Sequence, residues 1–173
     1  QYAIDKGYDA VVMLHGDAQY APEEIPKLLE PMEKGEADLV FGSRIAGDPL
    51  KGGMAIWRYF GNRVLTIIEN LVLGLKLSEY HSGYRIYSCK ALKKIPFKLC
   101  SDDMHFDSEI LIQFKLAGLR IAERPIPTHY GKESHSPGFF HMVRYGLNIL
   151  WNLLGYLLHR GGIKKQKKFE VVA

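Results

Sequence analysis

Three groups of polar residues in this 173-residue chain have the types and spacing that catalysis uses. His15-Gly16-Asp17-Ala18-Gln19 sets an imidazole, a carboxylate and an amide oxygen at alternate positions. Such ligands can converge on one divalent cation, and hard oxygen donors suit Mg²⁺ or Mn²⁺. The plainer reading is that Asp17 caps the next helix and His15 is a solvated strand end. Arg44, Arg58 and Arg85 each stand within three positions of a Ser or Gly. Guanidinium groups bind phosphate bidentately and small neighbours permit close approach, although a surface ion pair would explain any one of them. Asp102 and Asp103, with Asp107 and Glu109, form a dense run of carboxylates. One of these could act as a general base, whereas helix-dipole complementation accounts for Asp107 and Glu109 equally well.

These residues need elements to position them. Asp9 to His15 is a short continuous apolar run, the pattern of a strand buried on both faces of a parallel sheet. Pro22-Glu23-Glu24 opens a helix that runs to about Lys34 and stops at Gly35. Asp38 to Gly42 reads as a second buried strand, which makes a βαβ unit and predicts an α/β fold. Ligands in such sheets sit beyond the carboxyl ends of the strands, where Asp17 and the Gly42-Ser43-Arg44 turn both fall. Apolar spacing predicts a long helix from Met54 to about Leu75, and residues 84–88 suit a short strand. A helix from Ser108 to Ala117 and a strand from Ile121 to Ile126 follow an acidic loop.

Charge is localised at one end. The tail after His159 holds Arg160, Lys164, Lys165, Lys167 and Lys168 against Glu170, which equals the whole net charge of +4. The body is neutral, so a nucleic-acid-binding face is not expected. Two cysteines, Cys89 and Cys100, are too few for a zinc framework and fit a reducing compartment, with a single bridge between them left open. In residues 139–158 a stripe of His141, Arg144, Asn148, Asn152, Gly155 and His159 lies opposite Phe140, Leu147, Leu150, Trp151, Leu154 and Leu158. That division predicts a helix lying in a membrane interface rather than crossing it, and the basic tail suits an anionic membrane surface.

Five motifs occur in order: Leu14-His-Gly-Asp-Ala-Gln-Tyr-Ala-Pro-Glu-Glu24, Phe41-Gly-Ser-Arg44, Gly61-Asn62, His81-Ser-Gly-Tyr-Arg85 and Phe106-Asp-Ser-Glu-Ile110. Together they resemble the inverting family 2 glycosyltransferases, most nearly the dolichol-phosphate mannose synthase-like branch. The resemblance covers roughly residues 1–135. It implies the C-terminal part of a GT-A fold, followed by the amphipathic interfacial helix at 136–160 and the basic tail at 161–173. It also implies a chain that lacks the family's N-terminal nucleotide-binding half, in keeping with a start inside a helix that ends at Gly7. The implied activity is transfer of a sugar, with inversion, from a UDP- or GDP-linked donor to a polyprenyl phosphate or a glycan, at the cytoplasmic face of a membrane. An inert fragment that binds a membrane or a partner is the alternative.

The resemblance assigns roles residue by residue. Asp17, Gln19 and His15 map to the motif that holds Mg²⁺ or Mn²⁺ on the donor diphosphate, with His15 in place of the usual first Asp. Arg44 would meet phosphate, Arg58 and Asn62 would face the acceptor phosphate, and Ser82 and Arg85 would shape the acceptor side. Lys132 and Ser134 keep the character of a basic loop common in the family. A lipid phosphate acceptor needs no strong base, whereas for a sugar hydroxyl Asp107 or Asp103 is the candidate.

Overall fold

The computed structural model describes residues 1–130 and 138–171. Its elements in chain order are α1 (Tyr2–Asp5), β1 (Ala10–Met13), α2 (Ile25–Glu33), β2 (Leu39–Ser43), α3 (Ile56–Leu73), β3 (Arg85–Ser88), α4 (Cys89–Leu92), α5 (Phe106–Leu116), β4 (Ile121–Pro125) and α6 (Phe139–Arg160). Each expected long helix and strand is present. Pro22 and Glu23 start a 3₁₀ turn that leads into α2, and Gly74 in the left-handed conformation ends α3.

The sheet order is β1-β3-β2-β4. Here the expectation of a parallel sheet is corrected. β3 enters between β1 and β2 and runs antiparallel to both, and only β2 and β4 pair in parallel. Among the described residues β1 is flanked by β3 on one side, and Val12 is exposed, so the strand is not buried on both faces as its apolar run suggested. An unbroken apolar run reports burial and carries no information about strand direction.

Alternation along the strands divides the core. Leu39 and Tyr87 point to the larger cluster, where Ile110, Leu111 and Phe114 of α5 meet Tyr145, Ile149, Leu153 and Tyr156 of α6. Val40, Tyr84 and Ile86 face the smaller cluster under Leu28 of α2. Full burial of each large apolar side chain contributes ~1.5–3 kcal/mol, so the larger cluster is what fixes α5 and α6 to the sheet.

α6 is amphipathic, with Phe140, Leu147, Trp151 and Leu154 exposed on its apolar side. Of the polar stripe His141 and Arg144 are exposed, whereas Asn152 and His159 are buried. The tail covers those two by folding back over them. The Gln166 N–H donates to His159 Nδ1 (3.0 Å), and Lys168 Nζ donates to Asn152 Oδ1 (2.8 Å) and Glu109 Oε1 (2.6 Å). Phe169 is buried against Tyr156 and His159. Lys168 is thus part of a clasp. Among the described residues no helix is long and apolar enough to cross a membrane.

Candidate active site

A cavity of about 850 Å³ opens where β1 and β2 end. It gathers His15, Asp17 and Gln19 from the turn after β1, Arg44 from the turn after β2, Arg58 and Asn62 from α3, and Asp103 and Asp107 from the acidic loop and α5. Its remaining wall is apolar, built by Trp57, Phe60 and Val64 of α3 and by Phe139, Met142 and Val143 of α6. The lining is therefore part charged or polar and part apolar.

The turn after β1 is tightly wound. The Gln19 N–H donates to Asp17 Oδ1 (3.2 Å), and Ala18 between them takes φ +54°, a left-handed conformation uncommon for alanine. The His15 ring lies directly over Gly83, where an added Cβ would come within 2.4 Å of it, and meets Tyr20 edge-on at 5.7 Å. A residue lacking a side chain at 83 is therefore what lets His15 face the cavity. Among the described residues, no three His, Cys, Asp or Glu side chains gather to hold a metal ion. The second Asp17 oxygen, the His15 ring and the Gln19 amide fit an ion shared with a ligand that brings its own oxygens, such as a diphosphate, and do not form a closed cage.

The arginines have different fates. Arg44 Nε donates to Glu79 Oε1 (2.8 Å), its Nη2 to the His81 carbonyl (2.9 Å), and its Nη1 to Tyr130 Oη (3.3 Å). Asn62 Nδ2 joins the same carboxylate at 2.7 Å, and the Arg44 and Ile45 backbone N–H groups occupy Glu79 Oε2. Burial alone would raise the Glu79 carboxyl, but the Arg44 guanidinium outweighs it and holds the group below the usual carboxylate range. Arg85 is wholly buried and donates to the carbonyls of Ser82 (2.7 Å), Asp107 (2.8 Å) and Tyr80 (2.6 Å). Ser82 is buried too, and neither it nor Arg85 lines the cavity. Both shape the loop ahead of β3. Arg58 is half-buried at the cavity wall over the Trp57 ring (5.1 Å), and burial depresses its pKa.

Asp107 lines the cavity with Oδ1 3.3 Å from Arg85 Nε. Burial raises its carboxyl above the ordinary range, against the pull of Arg85 and His15. Asp103 also reaches the cavity, whereas Lys132 and Ser134 lie outside the described residues. Cys89 and Cys100 are both free thiols.

Sequence reasoning missed Glu79, the counter-charge of Arg44, because the two lie 35 positions apart. It missed Glu69, His81 and Tyr145 as well, which come from α3, a loop and α6.

The mixed sheet with helices packed against it has the GT-A glycosyltransferase fold. The chain belongs to glycosyl transferase family 2, whose profile matches residues 6–96. It is 35% identical to the low-salt glycan biosynthesis hexosyltransferase Agl6 of Haloferax volcanii, over 89% of this chain and 37% of that protein. It is 33% identical to the UDP-N-acetylglucosamine–dolichyl-phosphate N-acetylglucosaminyltransferase of Methanococcus voltae, over 88% of this chain and 60% of that protein. The chain thus spans well under two thirds of either relative's length. The fold is shared with glucosyl-3-phosphoglycerate synthase from Mycobacterium tuberculosis, at a TM-score of 0.61 and 21% identity over 86% of this chain and 50% of that one. The same synthase solved with Mn²⁺, UDP-glucose and phosphoglyceric acid matches at a TM-score of 0.54 and 22% identity, over 91% of this chain and 51% of that one.

Proposed function

We propose that the whole protein is an inverting glycosyltransferase that moves a sugar from a UDP- or GDP-linked donor to a polyprenyl phosphate at a membrane surface. The observation that carries this reading is the mixed lining of the cavity, with Asp17, Asp103 and Asp107 among its polar groups and apolar side chains of α3 and α6 in its wall. A nucleotide-sugar and a lipid phosphate require those two environments side by side. The names of the two curated relatives, one in glycan biosynthesis and one acting on dolichyl phosphate, support the same substrate classes.

In the transfer, an acceptor oxygen forms a bond to the anomeric carbon as the bond to the diphosphate breaks on the opposite face, so configuration inverts. A phosphate acceptor is already anionic near neutral pH and needs no strong base. For a glycan hydroxyl, Asp107 would take the proton. Asp17, with His15 and Gln19 beside it, would hold a divalent ion, Mg²⁺ or Mn²⁺, and the Mn²⁺ in the synthase complex supports a divalent metal. When bound, the ion neutralises the leaving diphosphate. Arg58 is the cavity-wall cation for a phosphate, and Arg44 and Asn62 hold the floor through Glu79.

The outer faces of α3 and α6 support membrane attachment. Ile56, Phe60, Val64 and Leu71 on α3 and Phe140, Leu147 and Trp151 on α6 are exposed, and the Trp57 and Phe139 rings touch at 5.7 Å where the two helices meet. An apolar face of this kind, next to Lys164, Lys165 and Lys167, suits the anionic cytoplasmic leaflet. On this reading residues 1–135 form the transferase domain, whose α3 shares the membrane contact, 136–160 the interfacial helix and 161–173 the basic tail.

Titration calorimetry of the whole protein with UDP- and GDP-sugars, with and without Mn²⁺, tests the reading. Metal-dependent binding that is lost in Asp17→Asn is the expected result. Absence of binding to every nucleotide sugar would sink it and leave a membrane- or partner-binding module.

A further inference from the structure

Each of the two helices that wall the cavity carries a glycine that neither backbone conformation nor packing explains. Gly61 lies inside α3 and Gly146 inside α6, and neither has a positive φ. Glycine in a helix interior is destabilising relative to alanine, because its backbone loses more freedom on folding. On α6, Gly155 has a packing reason, since an added Cβ would come within 2.6 Å of the Gln166 amide nitrogen of the tail. An added Cβ at Gly61 meets no atom within 4 Å among the described residues. At Gly146 it would meet Leu65 of α3 at 3.6 Å, an ordinary contact distance. Alanine would fit both positions.

Helical spacing shows where the missing side chains would point. Trp57 and Arg58 precede Gly61 by four and three positions, Val64 and Leu65 follow it by three and four, and all line the cavity. Met142 and Val143 precede Gly146 at the same two spacings and line it too. Residues three and four apart share one face of a helix, so both glycines lie within the stripes that face the cavity. Both are themselves part of its lining. The two absent side chains therefore widen the cavity between α3 and α6. Their neighbours indicate what the extra space would take. Trp57, Val64, Met142 and Val143 offer apolar surface, and Arg58 brings a cation within one helical turn of Gly61. An apolar chain ending in an anionic group matches both.

We propose that Gly61 and Gly146 are specificity-determining residues that leave room for the first carbons of the acceptor's chain, next to its phosphate. That the occupant is a lipid phosphate acceptor rests on the transferase reading above. That the glycines keep space for a ligand does not.

Calorimetry of the whole protein with farnesyl phosphate alone reads this space without any donor. The unaltered protein binds it, and Gly61→Leu weakens that binding about tenfold, the order expected when added methylenes crowd an apolar pocket. Gly61→Ala and Gly146→Ala weaken it less, and each raises the melting temperature by about 2–4 °C through better helix propensity. A glycine with a merely structural role would not give higher stability together with poorer binding. Absence of binding by the unaltered protein, or equal binding by Gly61→Leu, overturns the inference. So does an alanine variant that melts below the unaltered protein. In a transfer assay with a UDP- or GDP-sugar and the same acceptor, Gly61→Leu raises the acceptor KM and changes donor affinity by less than about twofold. A donor affinity that falls by the same factor as the acceptor's overturns the assignment to the acceptor. If the unaltered protein binds farnesyl phosphate but transfers nothing, the transferase reading fails, while Gly61→Leu still decides whether the glycines hold the space open.

Discussion

At the floor of the cavity the Arg44 guanidinium lies against the Glu79 carboxylate, with Glu79 fully buried and the Arg44 side chain 14% exposed. Asn62, Tyr130 and the His81 carbonyl complete the set of partners, so the pair joins α3 to the turns after β2 and before β3. Removing one partner leaves the other charge buried without compensation. Glu79→Ala is therefore expected to cost about 3–5 kcal/mol in urea unfolding, and Arg44→Ala a similar amount. A loss below about 1 kcal/mol in both would mean that water replaces the pair.

Gly83 and His15 form a second dependence. Because an added Cβ at position 83 would come within 2.4 Å of the imidazole, Gly83→Ala pushes the ring away from Asp17. Donor affinity measured by calorimetry with Mn²⁺ should fall about tenfold, a difference of about 1.4 kcal/mol. The melting temperature should move by only a few degrees, because His15 is exposed just after β1.

The Glu69 and His81 shifts make opposite contributions to the pH dependence of stability. Glu69 has a folded-state pKa of about 8 against an ordinary 4.5, so the folded state holds a proton that the unfolded state releases. Its contribution to stability falls as pH rises from about 4.5 to about 8. His81, depressed from 6.5 to about 3, contributes stability that is full above 6.5 and is lost as pH falls toward 3. Relative to the unaltered protein, Glu69→Gln should thus gain stability between pH 5 and 8, and His81→Gln should show a shallower loss in acid. Parallel pH profiles for all three proteins would show that neither group is shifted.

Lys168 closes the tail clasp, and its loss would leave Glu109, 2% exposed, without its cation. Lys168→Met should destabilise the fold by about 3 kcal/mol or more. Glu109 Oε2 also accepts the Ser101 N–H at 2.6 Å, so the acidic loop should loosen with it. Cys100, the residue before it and half-buried, reports on this through faster reaction with a thiol reagent. Lys164→Met, at an exposed position in the same tail, should change neither quantity.

The chain has two tryptophans, and both Trp57 and Trp151 are exposed on the apolar face of α3 and α6. Binding to vesicles containing anionic lipid should shift their emission to the blue. Neutralising Lys164, Lys165 and Lys167 together should weaken binding by roughly 1 kcal/mol per cation. Emission that stays unchanged at saturating lipid would remove the membrane from the proposal.

Local signals in the sequence fixed much of this molecule. Periodicity located α3 and α6, Pro22 and Gly35 bracketed α2, and the spacing of His15, Asp17 and Gln19 at a strand end marked part of the polar lining of the cavity. These are properties of neighbouring residues, and the backbone obeys them wherever the segment lies. Strand direction was not among them, because a run such as Ala10–Met13 has the same apolar pattern whichever way its partner runs. Nor were the partners of the charged groups. Arg44 with Glu79, Arg85 with the Asp107 carbonyl, Glu69 with His81 and Tyr145, and Lys168 with Glu109 are all contacts between separate segments of the chain. Whether an arginine reaches a ligand or frames a loop depends on which carboxylate or carbonyl folding brings beside it. The sequence determined which residues are available, and tertiary packing decided which charges are neutralised inside the protein and which are left to face the cavity, because only burial makes an unpaired charge costly.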